Sequence, residues 1–403
     1  MNLNDHNKFT LGRVLKFFGA FLILIVLVVG LSLGYQFYKD QVYFSEGDNV
    51  KVEAVASNIG QLWGIDFIPN STLLIATERK GKMFIINTES FELVEIKNVP
   101  TVVSQGQGGL LDIAVSPEFT DDTTIFLTYV TAGDRGSATR LASATLDLDN
   151  ALLTDLKVLY TAPFQRWGSH FGSRVTVDGD YLFMTLGDRG DKDFSNHVSQ
   201  NTLNPYGSVI RLYRDGDVPA ENPFVKDVGI LDEIYSFGHR NPQGMTLQPE
   251  TGALWISDHG EYDGDEINII RAGGNYGWPI AHTGCSYVTR QPFGELPWER
   301  EDTIDPVYYW ECGTGGFPPA GMTFYQGEVF LPWQGDLFIG GLASRYLAHF
   351  RLKEDGLTEL EPLLDKEGWR VRDVTVGPTD GFLYVAVEGS NVSLVRILPE
   401  WDE

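Results

Sequence analysis

One strand grammar recurs six times from about Asn58 onward: a small apolar strand, a turn of Pro, Asp, Asn or Gly, then an apolar or aromatic strand. The copies are GIDFIPNSTLLIATE, LDIAVSPEFTDDTTIFLTYV, SRVTVDGDYLFMTLGD, GMTLQPETGALWISDHG, GMTFYQGEVFLPWQGDLFIGG and VRDVTVGPTDGFLYVAVE. Alternation such as V-T-V-D-G-D-Y-L-F fits hairpins, because Gly, Asp and Asn tolerate the backbone angles that tight turns demand. Each copy is followed by a further strand-like stretch: GKMFIIN, RLASATLD, GSVIRLYRDG, DEINIIRAG, YLAHFRLK and SLVRILP. Four strands per unit, repeated six times, predict an all-β chain folded as a six-bladed β-propeller, in which radial repetition leaves only short protected edges. A β-sandwich is the structural rival, but it has no need of six near-equivalent turns. No linker or low-complexity tract interrupts the repeats, so residues 52–403 read as one propeller domain, with 39–51 as a short stalk.

Composition narrows the partners. Forty-four glycines and 19 prolines suit many short strands and turns. A formal charge of −25 opposes binding to nucleic acid, since no counterion release would offset the repulsion. At the N-terminus, Lys8, Arg13 and Lys16 precede a charge-free run from Phe17 to Tyr38. As a helix that run is long enough to cross a bilayer core of roughly 30 Å. The expectation is a cytoplasmic segment 1–16, a transmembrane anchor 17–38 and a propeller on the outer side of the membrane, in the periplasm of a bacterium. A cleaved signal peptide is the alternative, and GLSLGYQFY offers it no A-x-A-like cleavage site. The only cysteines, Cys285 and Cys312, lie in loop-like sequence; outside the cytoplasm they are free to form a disulfide, or to remain two thiols.

In a propeller the innermost strand of each blade lines the channel, and ligands bind where loops converge at one mouth. Four polar clusters lie beside such strands. His170, in GSHFGSR, sits between glycines, and its ordinary pKa near 6.5 suits a general base. Taken alone, it reads more simply as a loop histidine bonded to backbone carbonyls. Arg240, in GHRNPQG, offers a fixed charge and a planar fork of donors, with Asn241 and Gln243 able to donate and accept; a polar turn between blades explains it equally. The run 258–266 places five carboxylates in nine residues, which suits a calcium site built from oxygens, or a solvated acidic loop. Finally, Arg370 and Arg372 are two apart on a strand and share one face, where they call for an anion or an ion pair such as one with Asp373.

Together these segments resemble the soluble glucose dehydrogenases that depend on pyrroloquinoline quinone (PQQ) and, more closely, the bacterial aldose sugar dehydrogenases. The stretches that carry the resemblance are GQGGLLDIAVSPEF, SHFGSRV, TLGDRGD, GHRNPQGM, GDEINIIRAGGNYGWP and WRVRDVTVGPTDGFLYV, six motifs in family order across residues 52–398. The resemblance implies a six-bladed propeller with PQQ at the channel mouth and oxidation of the C1 hydroxyl of an aldose to the lactone. It implies that His170 takes the hydroxyl proton, that Asp188 orients the histidine, and that Arg240 stabilises charge developing on the quinone. It further implies that Gln107, Arg240, Asn241, Tyr287, Arg370 and Arg372 contact PQQ. One Ca²⁺ would bind the carbonyls of Gly260 and Glu261 and act as a Lewis acid; a second would use Glu266 and the Tyr276 carbonyl.

The chain also departs from the family pattern. Glu261 stands where the family has proline, adding charge near the ion. In the fifth blade the family's cationic PQQ contact is replaced by Gly341-Leu342-Ala343-Ser344-Arg345, so Arg345 would have to act from a shifted position. The substrate expected is a small sugar, with an unidentified electron acceptor and no membrane contact beyond the N-terminal helix. Two other classes remain open: a calcium-dependent propeller lactonase or esterase, and a non-catalytic ligand-binding propeller such as occurs in hedgehog-interacting proteins.

Overall fold

The computed structural model describes residues 42–44 and 50–400, apart from 167, 355 and 390. The proposed anchor at 17–38 lies outside the described residues, and among those no helix is long and apolar enough to cross a membrane. The chain forms six antiparallel sheets arranged as the blades of a propeller. The innermost strands, in chain order, are Leu62–Phe67, Leu110–Val115, Val175–Asp178, Pro242–Leu247, Pro319–Phe324 and Arg370–Val376. Each touches the next, and the last returns to the first, which closes the ring around a central channel.

Every hairpin recognised in the sequence is the inner pair of one blade, and each trailing stretch is the third strand. Second strands such as Leu254–Asp258 are buried throughout, because a blade is covered on both faces by its neighbours. This is why segments such as TIFLTYV read as nearly continuous apolar runs instead of alternating ones. Between the first two blades, for instance, Ile75 and Met83 pack with Leu110, Ile125 and Leu127. Each such side chain contributes about 1.5–3 kcal/mol on burial.

The sixth blade is closed from both ends of the chain. Its inner strands Arg370–Val376, Leu383–Glu388 and Val392–Pro399 are joined by Val50–Ser57, which pairs in register from Val50 opposite Pro399 to Ser57 opposite Val392. Five residues read as stalk therefore lie in this sheet: Val50 and Lys51, and Val42–Phe44, which adds a fifth strand along its edge.

Midway along the channel Arg174 ties the ring together. Its Nη1 donates to Asp112 Oδ1 at 2.7 Å and to Asp373 Oδ2 at 2.8 Å. Its Nε reaches the Gln243 carbonyl at 2.6 Å, its Nη2 the Arg372 carbonyl at 3.1 Å, and the guanidinium lies 4.4 Å from the Trp63 ring. One side chain from the third blade therefore contacts the first, second, fourth and sixth. Glycines on the inner strands leave room for this hub: a Cβ at Gly64 would lie 2.5 Å from Asp112 Oδ1, and one at Gly321 would collide with Asp373. Cys285 and Cys312 form a disulfide, with Cα atoms 5.4 Å apart, which secures the long loops of the fourth blade.

Candidate active site

Several loops that enter inner strands converge at one mouth. His170 has a left-handed φ of 48°, held between Gly168 and Gly172, and its backbone N–H donates to Gln107 Oε1 at 2.8 Å. Its Nδ1 lies 2.6 Å from Asp188 Oδ1. Asp188 is buried and accepts further bonds from the Gly190 N–H at 2.7 Å and from the Trp278 indole at 2.9 Å. Burial alone would raise the Asp188 pKa, but the bond to His170, with the charges of Arg240 and His197 nearby, brings it below the ordinary carboxylate value. An ionised Asp188 makes Nδ1 of His170 the protonated ring nitrogen, which leaves Nε2 as the proton acceptor.

The fourth blade's entry sits alongside. The Arg240 carbonyl accepts from Asp188 N at 2.8 Å, and Asn241 Oδ1 accepts from Gly172 N at 3.1 Å, so the two blades share their loop backbones. Asp258 fixes this segment by accepting from Arg240 N at 3.0 Å and Asn241 N at 2.6 Å. The Arg240 side chain donates from Nη2 to Glu261 Oε2 at 2.8 Å, while its buried Nε has no hydrogen-bond partner. His259 donates from Nε2 to the Pro319 carbonyl at 2.5 Å; burial lowers its pKa to about 3, so it stays neutral.

Beside this group lies a cavity of about 320 Å³, whose walls include Gln107, Trp63, Gln243, His259, Arg79, Arg370 and Arg372. Arg370 and Arg372 do share one face, but their partner is Glu388 on the adjacent strand, at 3.0 and 2.9 Å. Asp373, the partner considered from sequence, is engaged by Arg174 instead. Three arginines against one glutamate leave the cavity wall with a formal excess of two positive charges. That lining suits a flat, polar anion with several carboxylates. PQQ fits this chemistry: the arginines would meet its carboxylates, with Gln107 and Gln243 at its edges.

Of the other expected contacts, Arg240 and Asn241 stand beside the cavity without lining it, and two more lie elsewhere. Arg345 is exposed; its left-handed turn, φ 63°, directs Nη1 to the Gly368 carbonyl at 3.3 Å, and the fifth blade meets the cavity through Leu342 and Ala343. Tyr287 is 53% exposed and packs edge-on against Tyr262, away from the cavity wall.

The acidic run resolves into separate tasks. Asp258 caps backbone as described, Asp263 accepts from Gly313 N at 2.7 Å, and Asp265 accepts from Gly260 N at 3.0 Å and Phe317 N at 2.8 Å. Glu261 pairs with Arg240 and Lys192. Glu266 differs: it is buried, and its nearest donors are weak, Asn268 Nδ2 at 3.2 Å and Thr283 Oγ1 at 3.5 Å. Burial, with Asp258 close by, pushes its pKa up to about 8, and Asn268 Oδ1 is left without a partner. A void of about 10 Å³ bordered by Gly260, Glu266 and Tyr276 adjoins it, room for one small occupant. Among the described residues no three His, Cys, Asp or Glu side chains are grouped to hold a metal. A cation in this void would therefore depend on Glu266 as the charged ligand with the Tyr276 carbonyl and other main-chain oxygens, and the ion expected at the carbonyls of Gly260 and Glu261 would be a separate one. That oxygen-only set fits Ca²⁺.

The Glucose / Sorbosone dehydrogenase family profile matches residues 59–396. The chain belongs to the glucose/sorbosone dehydrogenase family. It is 35% identical over 356 residues to the aldose sugar dehydrogenase YliI of Escherichia coli, across 87% of this chain and 93% of that protein. The crystal structure of the soluble E. coli aldose sugar dehydrogenase in its apo form superposes with a TM-score of 0.80 at 34% identity, covering 87% of this chain and 99% of the other. Quinoprotein glucose dehydrogenase B of Acinetobacter calcoaceticus is 29% identical over 422 residues, across 85% of this chain and 86% of that protein. Membership of this family places the chain among the sugar dehydrogenases.

Several supporting residues escaped the sequence reading: Arg174, Lys192, His259, Trp278 and Glu388. Trp278 and Arg174 lie within motifs already singled out, and their motif membership was the available signal. Glu388 and Lys192 carried none, since their partners are distant in sequence.

Proposed function

We propose that this sugar dehydrogenase oxidises the C1 hydroxyl of aldoses to the lactone with PQQ and Ca²⁺ as cofactors. The observation that carries the reading is the His170–Asp188 pair, 2.6 Å apart, beside a cavity walled by three arginines. When bound, PQQ supplies the hydride acceptor and Ca²⁺ the Lewis acid.

The chain's own residues supply the rest. His170 Nε2 takes the proton from the C1 hydroxyl as the C1 hydrogen leaves with its electron pair, and the C1–O bond becomes the carbonyl of the lactone. Asp188 holds the imidazole in the required tautomer and stabilises the imidazolium, while Trp278 and Gly190 hold Asp188 in turn. Arg240 offers positive charge on the same side of the mouth. Arg79, Arg370 and Arg372 would bind the cofactor's carboxylates, the carbonyls of Gly260 and Glu261 would hold the Lewis-acid calcium, and Glu266 with the Tyr276 carbonyl would hold a second.

The working location proposed is the periplasmic side of a membrane, through an N-terminal anchor at 17–38. The Cys285–Cys312 disulfide supports an oxidising compartment. The test is direct: purified protein is supplied with PQQ and Ca²⁺, and reduction of a dye acceptor is followed across a panel of aldoses. Sugar-dependent reduction that requires both additions is expected; no reduction with any aldose, or lactone hydrolysis without PQQ, would refute the proposal.

A further inference from the structure

Glu261 makes contacts that its backbone role at the mouth does not require. The side chain is 7% exposed and lies between two cations. Oε2 accepts from Arg240 Nη2 at 2.8 Å, and both oxygens lie 2.9 Å from Lys192 Nζ. Lys192 follows Asp188 on the same loop, and its side chain is 56% exposed. One carboxylate thus links the loop that carries Asp188 to the arginine of the next blade.

The electrostatic consequence runs against simple anion binding. Arg240 is buried, and its remaining contacts are weak: Nη1 lies 3.4 Å from the His259 carbonyl, and Nε has no hydrogen-bond partner. An arginine held in this way is well oriented, but a carboxylate touching it cancels much of its field at any distance beyond a few ångströms. Lys192 restores part of the balance from the solvent side, where screening weakens it. A neutral residue that still accepted a hydrogen bond would orient Arg240 equally well and leave its charge uncancelled.

We propose that Glu261 is a positioning residue that fixes Arg240 and Lys192 and, by its charge, limits the affinity of the mouth for anionic cofactor. The proposal rests on the reading of the cavity as a PQQ site, and it concerns the side chain, not the backbone carbonyl considered for calcium. Its signature is a carboxylate whose removal strengthens binding of an anion.

The experiment titrates PQQ, at one saturating Ca²⁺ concentration, into the wild-type protein, Glu261→Gln and Lys192→Ala. Binding is followed by quenching of tryptophan fluorescence. In Glu261→Gln the amide oxygen still accepts from Arg240, and the dissociation constant should fall on the order of tenfold at low ionic strength. Because the gain is one of charge, it should shrink as salt is added, which a purely structural role would not produce. Lys192→Ala leaves Glu261 less compensated and should weaken binding severalfold, a result that stands even if the glutamine variant folds poorly. Equal or weaker PQQ binding by a folded Glu261→Gln, or unchanged binding by Lys192→Ala, would overturn the proposal. Wild-type protein that binds no PQQ would remove the cofactor reading itself, a distinct outcome from wild type and Glu261→Gln binding with equal affinity.

Discussion

Replacing Arg174 by methionine isolates what the hub contributes. The guanidinium is lost while the length and apolar stem of the side chain are kept, and two buried carboxylates are left facing each other. Asp112 Oδ1 and Asp373 Oδ2 sit 2.7 and 2.8 Å from the same nitrogen, so they are at most about 5.5 Å apart. Two unit charges at that separation repel by about 3 kcal/mol at an effective dielectric constant near 20. Removing one partner from a buried ion pair typically costs about 3–5 kcal/mol, in agreement with that figure. The loss should depend on pH. Burial already pushes Asp112 up to about 7 against the lowering effect of Arg174, so without the arginine a proton is taken up more readily still. Urea denaturation followed by near-ultraviolet circular dichroism should therefore show a deficit of about 3–5 kcal/mol at pH 8 and a clearly smaller one at pH 5. Adding Asp112→Asn and Asp373→Asn to the variant should recover part of the deficit at pH 8. A deficit below about 1 kcal/mol at pH 8, or the same deficit at both pH values, would refute the account of Arg174 as a charge clasp.

Other outcomes follow from the same geometry. His170→Ala should lower turnover by about 10² to 10⁴, the range for loss of a general base, while PQQ-induced fluorescence quenching is retained; unchanged turnover would remove His170 from the reaction. Asp188→Asn should lower kcat and shift the pH profile of kcat/KM, because Asp188 no longer holds His170 in one tautomer; a profile identical to wild type would show that the pair is not coupled. Asp66 is pushed up to about 7 by burial, against 3.8 ordinarily, so the folded chain holds that proton more tightly than the unfolded one. Its contribution to stability is complete below about pH 4 and lost as pH rises through 7, so the melting temperature should fall over that window and fall less in Asp66→Ala. Cys285→Ser opens a loop spanning 27 residues and should cost about 2–4 kcal/mol, read from the denaturation midpoint under oxidising conditions.

How much of this was legible in the sequence depends on distance along the chain. The inner hairpins announced themselves because turn and strand lie within one short window, as in VTVDGDYLF. Third strands such as Lys82–Asn87 and Leu347–Lys353 were visible as apolar runs for the same reason. Outer strands were not: Leu93–Glu95, Tyr308–Tyr309 and Gly356–Glu359 are short, half-covered and without alternation, since only one edge and part of one face meet other structure. In the site, His170, Asp188 and Gln107 could be singled out by motif, and they do meet. The pairing of Arg240 with Glu261 and Lys192 had no local sign, because the shape of two separate loops decides it. Arg345 misled for a related reason: a charge of the right sign, placed by a turn whose direction the sequence does not reveal.

The way the sixth blade is sealed has a consequence for how the molecule comes into being. Val50–Ser57 is synthesised ahead of all six inner strands, yet its partner Val392–Pro399 follows them all, so this strand waits for the whole ring before it can be zipped in. Contacts this distant are slow to form. Five blades can be laid down in order while the circle stays open; the final joining makes the channel one walled tube and brings Arg370 and Arg372 to the cavity that Gln107 also lines. A product interrupted before Val392 should thus lack the seam between Val50–Ser57 and the rest of the sixth blade, a target for proteolysis and not a weakened enzyme.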